Sequence, residues 1–292
     1  MPHIVVDAHH HFWDPEQGDF PWMAGEAMAP IRRVFAPADM APLLREAGVD
    51  RTVLVQTQSR LAETRDFLAL ADRTPFVAGV VGWVDLTAPD VDEFLARLKD
   101  GPLGGHLVGV RHQVHDEPDA DWLLRADVLR GLEAVERHGL VYDLLLRQRE
   151  IPAALAVVQR FPALRFVVDH IAKPMIRRGI LQPWAEAMRP FRTHREHVWC
   201  KLSGMVTEAD WWRWRADDLR PYVEETLEIF GAKRCVYGSD WPVCTLAASY
   251  AETKGALEEC TARLSANERA QIFGLNAADL YRLEATPNWP AA

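Results

Sequence analysis

Ile4-Val5-Val6-Asp7-Ala8-His9-His10-His11 is a short apolar run that ends in a polar cluster. Runs of this kind, rich in Val and Ile, recur at Thr52–Thr57, Phe76–Val84, Leu107–Val114, Leu140–Leu146, Arg165–Ile171, Val198–Ser203 and Arg234–Ser239. Each reads as a strand covered on both faces, as in a parallel sheet. Between them, Ala62–Asp72, Asp90–Lys99, Trp122–His138, Pro152–Phe161 and Pro221–Phe230 return apolar side chains every three or four positions, the period of a helix laid on a sheet. Eight such strands predict an α/β chain closed into a (β/α)8 barrel. An open doubly wound sheet uses fewer strands and a glycine-rich phosphate turn, and neither GxGxxG nor GxxxxGK(S/T) occurs.

At 292 residues the chain exceeds the usual domain length but suits one such barrel, so residues 1–292 are expected to form a single domain. Trp13–Phe35, rich in Trp, Pro and Met and without helical period, is expected to be an elaborated loop after the first strand, placed to lid a site. With 49% hydrophobic and 26% charged residues the chain can build a core and is neither a disordered tail nor a membrane protein. Its 33 Lys+Arg against 42 Asp+Glu give a net charge of -9, which leaves no basic field for nucleic acid. No apolar run reaches the length of about 20 needed to span a bilayer. The start lacks the basic and continuous apolar regions of a secretory leader, so a cytoplasmic location is expected. Cys200, Cys235, Cys244 and Cys260 form no CxxC pair and are expected to be buried, reduced thiols.

Chemistry concentrates where the runs end. In the first run the two-residue period of a strand puts His9 and His11 on one face and His10 on the other, so one strand offers two imidazoles to one ion or substrate. Barrel folds build their sites at the C-terminal ends of the strands. Phe166-Val167-Val168-Asp169-His170-Ile171-Ala172-Lys173-Pro174 brings His170 to the end of the sixth run, and Gly238-Ser239-Asp240-Trp241-Pro242 places Asp240 after the eighth. Each has a structural reading by itself: satisfied core histidines, a strand-end histidine bonded to a loop carbonyl, an Asp capping a turn. Together His9, His11, His170 and Asp240 make a constellation suited to Zn2+ or to a general base supported by imidazoles.

With Asp7–Trp13, Val110-Arg111-His112, Asp169–Pro174, Gly238–Pro242 and the closing Ile272–Tyr281, the chain resembles the amidohydrolase superfamily almost end to end. The resemblance is nearer to its metal-dependent-hydrolase branch, which contains sugar lactonases and 2-pyrone-4,6-dicarboxylate lactonase. The opening and the GSDWP ending are most similar to the L-fuconolactonase and L-rhamnonolactonase group. The resemblance implies a distorted (β/α)8 TIM barrel and a small-molecule sugar lactone as substrate, L-fuconolactone first. It implies that Asp240 takes the proton of the attacking water beside His9, His11 and His170. It also implies at most one divalent metal, Zn2+, on His9, His11, His170 and Asp240. The fifth run has no lysine to become a carbamate bridge, and the seventh carries Lys201 and Ser203 where a further histidine would help hold an ion. A metal requirement is left open: the histidines could serve a tetrahedral oxyanion directly as N–H donors, or through the metal as a Lewis acid.

Arg111 and His112 after the fourth run, then Lys173, are the expected partners of sugar hydroxyls or a carboxylate, although Arg111 could equally form a structural ion pair. Trp13, Trp83 and Trp241 adjoin three strand ends, where an indole can cover the apolar face of a sugar ring, though core packing is the commoner fate. Gln58, His115 and Asp143 are further polar options. Two other functions compete: a nonoxidative metal-dependent decarboxylase of the same superfamily, and a catalytically silent sugar-acid binding barrel.

Overall fold

The computed structural model describes residues 3–283. Strands β1 (Val6–His10), β2 (Arg51–Val55), β3 (Val77–Gly82), β4 (Leu107–His112), β5 (Val141–Leu144), β6 (Arg165–Val168), β7 (Val198–Leu202) and β8 (Cys235–Tyr237) pair in parallel and in chain order. The cylinder closes where His11 N donates to Trp241 O at 2.7 Å and Asp240 N donates to His9 O at 2.8 Å. Helices α1 (Pro37–Ala47), α2 (Leu61–Asp72), α3 (Val91–Lys99), α4 (Ala126–Arg137), α5 (Ile151–Arg160) and α6 (Trp184–Met188) follow the first six strands. After β7 come α7 (Met205–Glu208) and α8 (Ala216–Phe230), and after β8 come α9 (Tyr250–Cys260), α10 (Ala266–Ala270) and α11 (Asn276–Tyr281). The architecture is a (β/α)8 TIM barrel. Residues 13–35 carry only two short 3-10 turns, Pro21–Met23 and Glu26–Ile31. Among the described residues no helix is long and apolar enough to cross a membrane, and the four cysteines are buried and free.

The inner wall of the barrel follows from the two-residue period of its strands. Val53, Val55, Val81, Val141, Val167, Trp199 and Val236 form one buried apolar cluster with Val6 and Ala8 of β1. Each such valine contributes about 1.5–3 kcal/mol by leaving water. Helix α11 adds Ala277, Leu280 and Tyr281 to this cluster, plugging the end at which the strands begin. Two residues further along three strands, the same inward face carries Asp143, Asp169 and Lys201, all fully buried. The second apolar layer, with Leu54, Val80, Val110, Tyr142 and Phe166, packs between strands and helices.

Two expected boundaries shift. The sixth run stops pairing at Val168, because His170, Ile171, Ala172 and Lys173 take φ of 52, 47, 56 and 50°. Left-handed backbone costs an L-residue about 1–2 kcal/mol. Here it is held by full burial of Ile171 and Ala172 and by Trp184 Nε1 donating to Ile171 O at 2.7 Å. Helix α8 begins at Ala216, ahead of Pro221, because the Asp218 carboxylate accepts from Arg215 N at 2.8 Å and satisfies the helix start there.

Candidate active site

β1 does not keep its alternation. Val6 and Ala8 face the inner cluster, which by strict period would turn His10 inward and His9 and His11 outward. The β1–β2 register shifts between Asp7 and His10, and such an irregularity re-aims side chains. His9 and His11 therefore share the barrel interior, with their Nε2 atoms 3.2 Å apart, while His10 Nε2 meets Thr52 Oγ1 at 2.8 Å on the outer side. Asp7 secures this segment: its carboxylate accepts from His9 N at 3.1 Å, Ser239 N at 2.8 Å and Tyr250 OH at 3.0 Å.

Asp240 reaches the same point from the loop after β8, with φ 58°. Its Oδ1 lies 3.5 Å from His11 Nε2, 3.8 Å from His9 Nε2 and 3.9 Å from His170 Nε2. The left-handed turn after β6 carries His170 into the cluster, its ring 4.4 Å from that of His9 and its Nδ1 2.9 Å from Ser203 Oγ. Burial disfavours charge on all four groups. It holds His9 well below, His11 below and His170 down at about 3. For Asp240, burial is outweighed by His170, His11 and Lys173, which keep the carboxyl below its ordinary value.

Beneath this cluster lies a layer of buried charge. Lys201 Nζ is 2.9 Å from Asp169 Oδ1, 2.5 Å from Asp143 Oδ2 and 3.1 Å from His9 Nδ1. Arg111 Nη1 donates to Asp169 Oδ2 at 2.9 Å and approaches His9 Nε2 at 3.3 Å. Tyr281 OH reaches Asp143 at 3.0 Å. Two cations facing two carboxylates make the layer neutral, the condition under which buried charge is tolerable. Lys201 occupies the place on β7 where a further histidine would help hold an ion.

The donor set fits a single divalent ion. His11 Nδ1 donates to Val55 O at 2.7 Å, and since a carbonyl can only accept, the ring proton is fixed on Nδ1. His11 Nε2 then presents a lone pair to the ionised Asp240, an arrangement that a cation between them relieves. A tetrahedral zinc site with bonds of about 2.0–2.1 Å has ligand–ligand edges of about 3.3–3.4 Å. The edges among His9, His11 and Asp240 are 3.2, 3.5 and 3.8 Å, so these three groups converge on one point, with His170 Nε2, 3.9 Å from Asp240 Oδ1, as the outlying fourth donor. The same proton on Nδ1 prevents neutral His11 from serving an oxyanion as an Nε2–H donor.

A pocket of about 520 Å³ opens above the cluster, with His11, His170, Asp240, Arg111 and Lys173 among its lining residues. The other expected ligand groups lie elsewhere. Adjacent residues on a strand point to opposite sides, so Arg111 faces inward and His112 outward, where its ring stacks on Trp122 at 4.1 Å and its Nε2 meets Glu117 at 2.7 Å. Trp83 Nε1 meets His112 Nδ1 at 3.0 Å, Trp13 Nε1 donates to Ile31 O at 3.0 Å, and Trp241 packs edge-on to Phe35. None of the three indoles lines this pocket. Lys173 does, with its ammonium 3.1 Å from Glu208. The structure adds Trp22, Gln113 and Asp116 to the wall, together with His115. Proximity to a strand end was the available signal for Gln113 and His115. Trp22 lay inside the long loop with no periodic signal to aim it.

An L-fucono-1,5-lactonase of Burkholderia ambifaria is 40% identical over 285 residues, covering 96% of this chain and 96% of that protein. A crystal structure of an amidohydrolase from Burkholderia multivorans with bound zinc has a TM-score of 0.90 and 38% identity, over 96% of this chain and 100% of that one. A 5-carboxyvanillate decarboxylase of Sphingomonas paucimobilis shares the fold, with TM-score 0.66 and 14% identity over 97% of this chain and 100% of that one. Residues 6–283, which include every member of the histidine–aspartate cluster, match the amidohydrolase family, and the chain belongs to it.

Proposed function

We propose that this protein hydrolyses a sugar lactone, L-fucono-1,5-lactone first, to its aldonic acid. The observation that carries this reading is the placement of Asp240 Oδ1 within 3.5–3.9 Å of three imidazoles beneath the pocket. The lactonase name of the Burkholderia ambifaria relative supports the substrate class.

A lactone seated in the pocket brings its ester carbonyl over this cluster. Asp240, ionised, accepts a proton from water as the water oxygen bonds to the carbonyl carbon, a role worth about 10^2 to 10^4 in rate. The tetrahedral oxyanion develops in a pocket whose wall carries the fixed positive charges of Arg111 and Lys173. On collapse the bond to the ring oxygen breaks, and Asp240 returns the proton to that oxygen, leaving a hydroxyl and a carboxylic acid, which then releases its remaining proton to solvent as the aldonate. His9, His11, His170 and Asp240 would hold one Zn2+, which when bound supplies Lewis-acid polarisation of the carbonyl and an acidified water. Proton transfer stays with Asp240, so loss of the ion diminishes turnover without abolishing it.

The two competing functions are not favoured. The decarboxylase likeness is one of fold, and a silent binding barrel has no use for an ionised carboxylate held against three imidazoles. A pH-indicator assay over aldono-1,4- and 1,5-lactones tests the reading. Fastest opening of L-fucono-1,5-lactone is expected; no turnover of any aldonolactone, or CO2 release from an aromatic acid instead, would overturn it.

A further inference from the structure

Two residues that line the pocket each carry a buried polar atom without a hydrogen-bond partner among the described residues, Trp22 Nε1 and His115 Nδ1. Other indoles nearby are satisfied, Trp13 by Ile31 O and Trp83 by His112. Trp22 comes from the long loop after β1, and its ring is fixed edge-on against Trp13 at 5.3 Å and Phe20 at 6.5 Å. His115 is anchored by its backbone N donating to Leu145 O at 3.2 Å. Its Nε2 lies 3.3 Å from Asp116 Oδ1, and the field of that carboxylate favours the ring proton on Nε2, which leaves Nδ1 with a lone pair. Burial, then Lys173, Arg147 and Arg111, push His115 down to about 3, so the ring is neutral.

A buried donor or acceptor left unpaired costs the free energy of its lost hydration. An indole N–H can only donate and this Nδ1 can only accept, whereas a hydroxyl does both. We propose that Trp22 and His115 are specificity-determining residues that read hydroxyl groups of the ligand, Trp22 Nε1 donating to a hydroxyl oxygen and His115 Nδ1 accepting a hydroxyl proton. The inference rests on the sugar-lactone reading and adds what selects a polyhydroxylated ring over a bare one. A site built to bond a hydroxyl rejects the analogue that lacks it, because its own polar groups are then stranded.

Trp22→Phe keeps the ring and removes the N–H. On L-fucono-1,5-lactone the variant is expected to raise KM about five- to ten-fold with kcat little changed. On δ-valerolactone, a ring of the same size without hydroxyls, kcat/KM is expected to stay level. An unchanged KM for the sugar lactone, or equal losses on both lactones, overturns the assignment. Calorimetric binding of L-fuconate against 5-hydroxypentanoate makes the same comparison without turnover. If the wild type opens neither lactone, the hydrolase reading fails, and a preference for L-fuconate that Trp22→Phe erases still sustains the hydroxyl assignment, while no preference ends it. His115→Phe, which removes the acceptor, carries the same test if Trp22→Phe does not fold by circular dichroism.

Discussion

Lys201 Nζ lies 3.1 Å from Nδ1 of His9, so a fully buried ammonium braces the imidazole at the centre of the site. The same ammonium pairs with Asp143 and shares Asp169 with Arg111. Lys201→Met would leave Asp143 without its cation and Asp169 with Arg111 alone, and removal of one partner from a buried pair costs about 3–5 kcal/mol. Urea unfolding should show a loss of that order, partly recovered in Lys201→Met/Asp143→Asn. A single variant as stable as wild type would show that the charges are not coupled.

Asp240→Asn should fold normally and lose lactone hydrolysis by about 10^2 to 10^4, since an amide cannot accept the proton of water. The check is kcat on the best aldonolactone, with the circular dichroism spectrum alongside. Turnover near wild type would remove Asp240 from the role of base.

Elemental analysis of the purified protein should find about one zinc per chain, as a three-imidazole, one-carboxylate donor set favours. After chelation, activity should fall and remain measurable. Complete loss, restored by added Zn2+, would mean that Asp240 cannot carry proton transfer without the ion.

Gly204 has φ +63°, and a Cβ built on it would fall 2.6 Å from His170 Nδ1 and 2.8 Å from its Cγ. Gly204→Ala must therefore displace the imidazole that faces Asp240, and displacement of a catalytic group by about 1 Å can cost on the order of 10^2 in rate. Expected is a fall in kcat of that order with the ring's contact to Ser203 lost in a crystal structure. Unaltered kcat would place His170 outside the chemistry.

Burial lifts the Asp7 carboxyl to about 6 from 3.8, an effect only partly offset by its bonds to Ser239, His9 and Tyr250. Between these values the folded protein keeps a proton that the unfolded chain has released. The contribution of Asp7 to stability therefore falls as pH rises through this window and is level above it. Asp7→Asn lacks this dependence, so the unfolding free energies of the two proteins should shift relative to one another by up to about 3 kcal/mol between pH 4 and 7. The shift should favour the variant at the higher pH. A gap that stays constant with pH would contradict the raised carboxyl.

The site was partly legible because some of its chemistry sits on local patterns. His9 and His11 are two apart on a strand and so share a face, and His170 and Asp240 follow apolar runs that had to end at the same rim. The neighbouring pair Arg111 and His112, expected together as ligand groups, points to opposite sides of β4: the period that joins His9 to His11 must also separate Arg111 from His112. Trp13, Trp83 and Trp241 sit beside strand ends, as a sugar platform would, but an indole packs equally well into the core, and sequence has no term that distinguishes the two. Trp22 was missed because an aperiodic loop does not announce which of its side chains turns inward.

The chain by itself determined the alternation of eight buried runs with amphipathic helices, because periodicity and apolar burial act over a few neighbouring residues. It also determined that two imidazoles share one strand face. Tertiary structure decided that this face is the inner one, through the register shift against β2. It also decided that Lys201 answers Asp143, 58 residues away in sequence, and that a loop tryptophan forms the pocket wall. These outcomes depend on which distant groups meet in a low-dielectric interior where every charge and polar atom must find its counterpart, a condition that only the closed barrel imposes.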